Sequence, residues 1–318
     1  MTSAPAGCDA TPDAKVRPPF GVGVNLPWRR YGCDFGTNAW RLGGLTGHDM
    51  SPVRRALAAA AEAGARVVRW FVLCDGRAGI DFSPAGWPLR LQPAVLDDMG
   101  RAIALAGEAG LQLVPVLFDF HLGRPATQVR GVQLGGRHAL IRDPVARQAF
   151  VAACVDPLVR AFGRDARIAC WDLCNEPEWL SRPTWPPTAR LPRHVVARWL
   201  GEMAQRVRWS AAQPVTVGLA TARGLPLVDA LGLDLVQVHW YDRHERRAPL
   251  SRCPAPRQRC PVVLGEFPSA GSLRSPAEII ATARAAGYAG AWGWSLLAAD
   301  SATDAPALLH GLKVWNTG

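Results

Sequence analysis

Eight short runs dense in β-branched and aromatic residues recur along the chain: "GVGVN", "ARVVRWFVL", "LQLVPVLFDF", "RIACWDLCN", "PVTVGLA", "DLVQVHWYD", "CPVVLGEF" and "GAWGWSLL". Continuous apolar runs of this length fit strands that are covered on both faces. Three intervening segments, "SPVRRALAAAAEAG", "DPVARQAFVAACVDPLVRAFG" and "SPAEIIATARAAG", each open with Ser or Asp followed by Pro and close on Gly. That is the grammar of a helix. Ser51, Asp143 and Ser275 are placed to cap free amides, Pro52, Pro144 and Pro276 fit the first turn, and Gly64, Gly163 and Gly287 suit a left-handed exit. Strand alternating with helix over 318 residues points to an α/β fold, a single (β/α)8 TIM barrel. An open doubly wound sheet is the alternative, but no G-x-G-x-x-G follows the first strand and no phosphate loop occurs.

With 49% apolar residues the chain can bury one large core, and the expected division is a flexible tail over residues 1–18 and a barrel over 19–318. No apolar run approaches the roughly 18 residues that span a bilayer, and no signal-peptide stretch opens the chain. The expectation is a monomer away from membranes, cytoplasmic, or secreted if a leader has been trimmed. The net charge of +10 raises the question of nucleic acid. Its basic residues are scattered, and all are arginine except Lys15 and Lys313, so no nucleic-acid role is expected. The eight cysteines form neither a C-x-x-C pair nor a zinc pattern. Cys170 and Cys174 on one strand would stand about 13 Å apart and read as packed thiols. Cys253 and Cys260 share a loop and could bridge in an oxidising compartment.

Barrel enzymes carry their chemistry at the C-terminal ends of the strands, and polar residues collect there in this sequence. Arg69 lies late in the second strand, Asp119 and His121 close the third, Asn175 and Glu176 the fourth, His239 and Tyr241 the sixth, Glu266 the seventh and Trp294 the eighth. Glutamates ending strands four and seven would face each other across the mouth. Retaining glycoside hydrolysis needs such a pair about 5 to 5.5 Å apart, one protonated and one ionised. An arginine inside a barrel strand must meet a carboxylate, and Glu266 is the expected partner of Arg69. His239 and Tyr241 alternate with Trp240, so both take one face of their strand, the interior if Gln237 follows them.

In order and at strand ends, "WDLCNEP", "VHWYD", "VVLGEFP" and "GWSL" resemble the clan A glycoside hydrolases, particularly family 5. "GVNLPW" and "VVRWF" are similar to that family's first two strands. The resemblance spans about residues 21 to 297 and implies a retaining β-glycosidase without metal or organic cofactor, acting on a β-linked glucan, mannan or oligosaccharide as its carbohydrate partner. It implies Glu176 as general acid/base, Glu266 as nucleophile, Asn175 on the sugar 2-hydroxyl and Arg69 beside the nucleophile. Tyr241 would then bond the nucleophile and His239 the sugar or the acid/base. Either Asp119 or His121 would line the sugar pocket, His121 being the closer match. A transglycosidase using the same residues, or a carbohydrate-binding barrel without turnover, are the rival readings.

Thirteen tryptophans offer aromatic faces for sugar rings. The resemblance puts Trp294 under the reacting sugar, while Trp28, Trp179 and Trp185, in loops beyond strands one and four, are candidates for outer sugars. The segment "DRHERRAPLSRCPAPRQRC" after Tyr241 is arginine-dense on the same rim, a composition that suits an acidic sugar or simply a solvated loop. Little helix is expected between strands six and seven.

Overall fold

The computed structural model describes residues 21–40, 43–254 and 260–317, so the expected tail lies outside the described residues. All eight apolar runs become strands: β1 (Gly21–Asn25), β2 (Val67–Phe71), β3 (Gln112–Asp119), β4 (Trp171–Asn175), β5 (Val215–Leu219), β6 (Val236–His239), β7 (Val262–Pro268) and β8 (Gly290–Trp294). Each pairs in parallel with its neighbours in sequence, and β1 closes the barrel on β8 in the register Gly21↔Gly290 to Asn25↔Trp294. This is a closed (β/α)8 barrel.

Strand alternation divides the apolar residues between two places. In β2, Val68 and Trp70 join the large core between strands and helices, whereas Val67, Arg69 and Phe71 take the other parity, toward the barrel interior. A small interior cluster of Val114, Cys170, Val263 and Trp292 packs with Val67. Phe71, Val116 and Trp294 form a second cluster nearer the strand ends. Arg69, Asp172, Thr216 and Gln237, all completely buried, make a polar layer within this apolar lining.

Among the described residues six long helices surround the strands: α1 (Ser51–Glu62), α2 (Pro93–Glu108), α3 (Pro144–Phe162), α4 (Arg193–Ser210), α5 (Pro276–Ala286) and α6 (Ala305–Thr317). Asp143 caps α3 by accepting from the Ala146 amide, and Ser275 forms a capping box with Glu278. Ser51 differs from expectation. Met50 is the cap of α1, so Ser51 is already the first helical residue, and its amide and hydroxyl both donate to Asp49 Oδ1. Gly163 differs too, with φ −65° in place of a left-handed exit. Its lack of a side chain matters sterically, because a Cβ would lie 2.3 Å from the Val159 carbonyl oxygen and 2.7 Å from that of Ser210.

Among the described residues only 3-10 turns separate β6 from β7 (Asp242–His244), as the sequence suggests, and also β5 from β6 (Ala222–Leu227). The second case follows from Gly224, Pro226 and Gly232, which interrupt any helical run there. No helix among the described residues is long and apolar enough to cross a membrane. Cys170 and Cys174 are buried free thiols, Cys260 is a half-buried free thiol, and Cys253 is half-buried.

The loop after β1 is shaped by two buried aspartates. Asp34 accepts from the Arg29 and Arg30 amides and the Trp70 indole, and Asp98 accepts from the Gly36 and Thr46 amides. These bonds hold the segment that carries Trp28 over the barrel mouth.

Candidate active site

Arg69 organises the floor of the mouth. Its guanidinium donates to Asp172 Oδ2 (2.8 Å), Asn25 Oδ1 (3.1 Å), Glu266 Oε1 (2.6 Å) and Asn175 Oδ1 (2.9 Å). A completely buried arginine is tolerable only when so satisfied, and two of these partners are buried carboxylates. Gln237 Nε2 adds a second contact to Asp172 Oδ2 at 3.0 Å. The other end of Asn175 donates to Asp119 Oδ2 (3.0 Å), which ties β3 to β4.

Above this floor the two glutamates meet. Glu176 follows β4 with φ 50° and ψ 47°, a left-handed conformation that costs a non-glycine residue about 1 kcal/mol or more. Its amide donates to the Gly218 carbonyl at 2.7 Å, so β5 anchors the turn that aims the side chain. Its carboxylate accepts from Trp179 Nε1 at Oε2 (2.7 Å) and faces His239 Nδ1 from Oε1 (2.9 Å). Glu266 on β7 accepts from Tyr241 Oη at Oε2 (3.2 Å), with His239 Nδ1 3.4 Å away. An oxygen of each glutamate and a ring nitrogen of His239 all lie within 4.8 Å of one another.

Burial acts on both acids, and what opposes it differs between them. Burial pushes the Glu176 carboxyl upward, opposed by the Trp179 indole hydrogen bond and the more distant Arg69 charge. Burial raises Glu266 as well, but His239 and a directly bonded Arg69 pull it back. Burial drives His239 down to about 4, so the imidazole is neutral near pH 7 and meets Glu176 as a hydrogen-bonding group. These three side chains are also the described group that could hold a cation. An ion there would face the guanidinium already bonded to Glu266.

No family model matches the chain. It is 26% identical over 319 residues to the mannan endo-1,4-beta-mannosidase of Mytilus edulis, a likeness covering 87% of this chain and 83% of that protein. The chain is a glycoside hydrolase. Its barrel superposes on the endo-1,4-beta-mannanase of Eisenia fetida with a TM-score of 0.76 at 21% identity, covering 93% of this chain and 90% of that one. It also superposes on GH5_18 of Streptomyces cattleya in complex with GlcNAc, with a TM-score of 0.66 at 16% identity, covering 95% and 82%.

Of the residues singled out in the hydrolase sequence, Arg69, Asn175, Tyr241 and Glu266 form one hydrogen-bonded group, and Glu176, His239 and Trp179 another, the two meeting where His239 Nδ1 stands 3.4 Å from Glu266 Oε2. Trp294 is buried at the mouth, its Nε1 donating to Asp300 Oδ2 (2.8 Å). Trp28 meets it edge-on at 5.6 Å and also meets Tyr31 at 4.9 Å, so both indoles belong to one aromatic wall. Trp185 is 83% exposed, away from this wall.

His121 falls outside the network of the hydrolase. β3 ends at Asp119, whose carboxylate accepts the His121 amide and starts a 3-10 turn, so strand parity stops before His121. Its side chain is 54% exposed, lying on Phe120 at 4.1 Å and edge-on to Tyr31 at 6.2 Å. Asp119 is the buried one that reaches Asn175. Asp172 and Asn25 escaped sequence reasoning. The available signal was a charge inside "ACWDLCN" and an amide ending "GVGVN", each in a strand otherwise apolar.

Proposed function

We propose that the chain is a retaining β-mannanase-type hydrolase that cleaves β-1,4-linked mannan or manno-oligosaccharides by double displacement. The observation that carries this reading is the close approach of Glu176 and Glu266, within 4.8 Å oxygen to oxygen. That spacing suits direct attack by one carboxylate and leaves little room for the water that inversion requires. The likeness to the Mytilus mannosidase supports mannan as the substrate class.

Glu266 serves as nucleophile because Arg69 and Tyr241 stabilise its ionised form. Glu176 serves as acid because burial favours its protonated form. In the first step a Glu266 oxygen bonds to the anomeric carbon while the glycosidic bond breaks, and the Glu176 proton passes to the leaving oxygen. Negative charge on Glu266 is consumed as the ester forms. In the second step Glu176, now ionised, takes a proton from water, the hydroxide oxygen bonds to the anomeric carbon, and Glu266 departs as carboxylate.

Neutral His239 positions the acid through its Nδ1 contact to Glu176 Oε1, next to Glu266. Asp119 takes one of the two Nδ2 hydrogens of Asn175, which leaves the other for a sugar 2-hydroxyl, where a bond that tightens in the transition state lowers the barrel's activation cost. The wall of Trp294 and Trp28 supplies the apolar surface beside the reacting sugar.

The test is proton NMR of the first product from a β-1,4-manno-oligosaccharide, together with mass spectrometry after a 2-deoxy-2-fluoro mannoside inactivator. The β-anomer and a label on the peptide containing Glu266 are expected. An α-anomer as first product overturns the mechanism, and products longer than the substrate would indicate transfer to sugar in place of water.

A further inference from the structure

Next to the acid side of the cleft lies a cavity of about 670 Å³ lined by the loops that follow β4, β5 and β6. Seven of its seventeen lining residues are arginine, against 34 of 318 in the whole chain, so composition alone does not account for it. They come from three separate loops: Arg182, Arg190 and Arg193 after β4, Arg223 after β5, and three more after β6, including Arg246 and Arg247. A solvated, arginine-rich loop would spread its charges outward; here three loops bring theirs to one hollow.

Among the described residues none of the seven is ion-paired with a carboxylate. Arg182 lies over the Trp179 ring at 3.8 Å, Arg190 donates to the Ser181 carbonyl, and Arg243 donates to His244 Nε2. The single acid in the lining is Glu178, and burial pushes its carboxyl up to about 8, so it is mostly uncharged at neutral pH. Four buried polar atoms of the lining, both carboxyl oxygens of Glu178, Ser181 Oγ and His244 Nδ1, lack a hydrogen-bond partner. The hollow is therefore rich in donors and positive charge without an internal counter-ion.

Its position relative to the chemistry is fixed by Trp179, which lines the cavity and donates to Glu176. A group that protonates the leaving oxygen stands on the leaving-group side of the bond. The Trp294 and Trp28 wall, by contrast, packs on Phe71 of β2.

We propose that this cavity receives an oxyanion, a carboxylate or a sulfate ester, carried by a sugar on the leaving-group side of the scissile bond. The side assigned rests on the reading of Glu176 as acid. Guanidinium forks match both groups geometrically, and several of them acting together attract an anion in a way that salt weakens. The substrate class is then an acidic or sulfated β-mannoside in preference to a neutral one.

Three manno-oligosaccharides of equal length decide this: one neutral, one with its reducing end oxidised to the carboxylate, and one with a 6-sulfate on the reducing-end sugar. At low salt at least one anionic substrate is expected to show kcat/KM about tenfold above the neutral one, with the advantage shrinking at high salt. The ratio of anionic to neutral kcat/KM, taken within the same variant, should fall toward one in Arg223→Gln/Arg246→Gln/Arg247→Gln. The carboxylate and sulfate arms identify which anion is preferred. Ratios of one or below at low salt for both anions, or a ratio untouched by salt and by the triple substitution, overturn the proposal. If none of the three is cleaved, the catalytic reading has failed on its own. Tryptophan-fluorescence titration of the whole chain with the same compounds then decides the cavity, tighter low-salt binding of an anion supporting it and equal binding overturning it.

Discussion

The floor and the rim of this active site both depend on arginine and use it in opposite ways. Arg69 on the floor is wholly buried, and its guanidinium is bonded to two carboxylates and two side-chain amides. The rim arginines around the cavity meet no carboxylate among the described residues. The difference is set by solvent. Burying an unpaired guanidinium costs several kcal/mol, so partners on the floor are obligatory; at the rim water satisfies the charge and leaves donors for a ligand. A buried arginine thus reveals its role through its partners, and an exposed cluster through their absence.

The largest expected effect lies on the floor. Glu266→Ala removes the proposed nucleophile and should lower kcat on manno-oligosaccharides by about 10⁴-fold or more, measured by reducing-sugar release. Survival of more than about a tenth of the rate would mean that the floor is not where the chemistry occurs. Glu176→Gln comes next, with a loss of roughly 10² to 10⁴ on natural linkages. Aryl mannosides with good leaving groups need less protonation, so their first step should fall much less. Equal losses on both substrate types would argue against Glu176 as acid.

Stability sharpens the contrast between the two arginine classes. Arg69→Met leaves Asp172 and Glu266 buried without their cation, a loss of about 3 to 5 kcal/mol, which lowers Tm by roughly 10 °C in a chain of this size. Arg247→Gln at the rim should change stability by no more than about 0.5 kcal/mol. Similar melting shifts for the two would erase the distinction drawn above.

The sequence is informative wherever one physical requirement acts on one residue at a time. Burial on both faces makes the eight strands readable as apolar runs, and capping chemistry makes α3 and α5 readable at Asp143 and Ser275. The need of Arg69 for a carboxylate is likewise legible in "VVRWF". Its second carboxylate, Asp172, is not, because strand parity gives the face a residue takes and says nothing of how far side chains reach across a barrel. Parity also stops informing past a strand end: the turn begun by Asp119 takes His121 out of strand register, and its half-exposed ring stands beside Tyr31. The convergence of the rim arginines is hidden for a related reason. "DRHERRAPLSRC" displays some of them, but Arg182, Arg190 and Arg223 are scattered through other loops and meet them only in three dimensions.

The smallest predicted effect tests the link between floor and rim, which runs through Trp179. Its indole N–H donates to Glu176 Oε2 and favours the ionised carboxylate, so it lowers a pKa that burial has raised. A general acid works while protonated, and kcat/KM declines as pH rises through its pKa. Trp179→Phe keeps an aromatic ring and removes the donor, so the Glu176 pKa should rise and the basic limb of the profile should move to higher pH. A hydrogen bond to a charged group contributes about 1.5 kcal/mol, which corresponds to a displacement of roughly one pH unit. The same limb in Arg247→Gln should stay in place, since that side chain reaches the cavity without being bonded to Glu176. A Trp179→Phe profile that is unmoved, or shifted toward acid, would show that the titrating acid is not the carboxylate this indole touches.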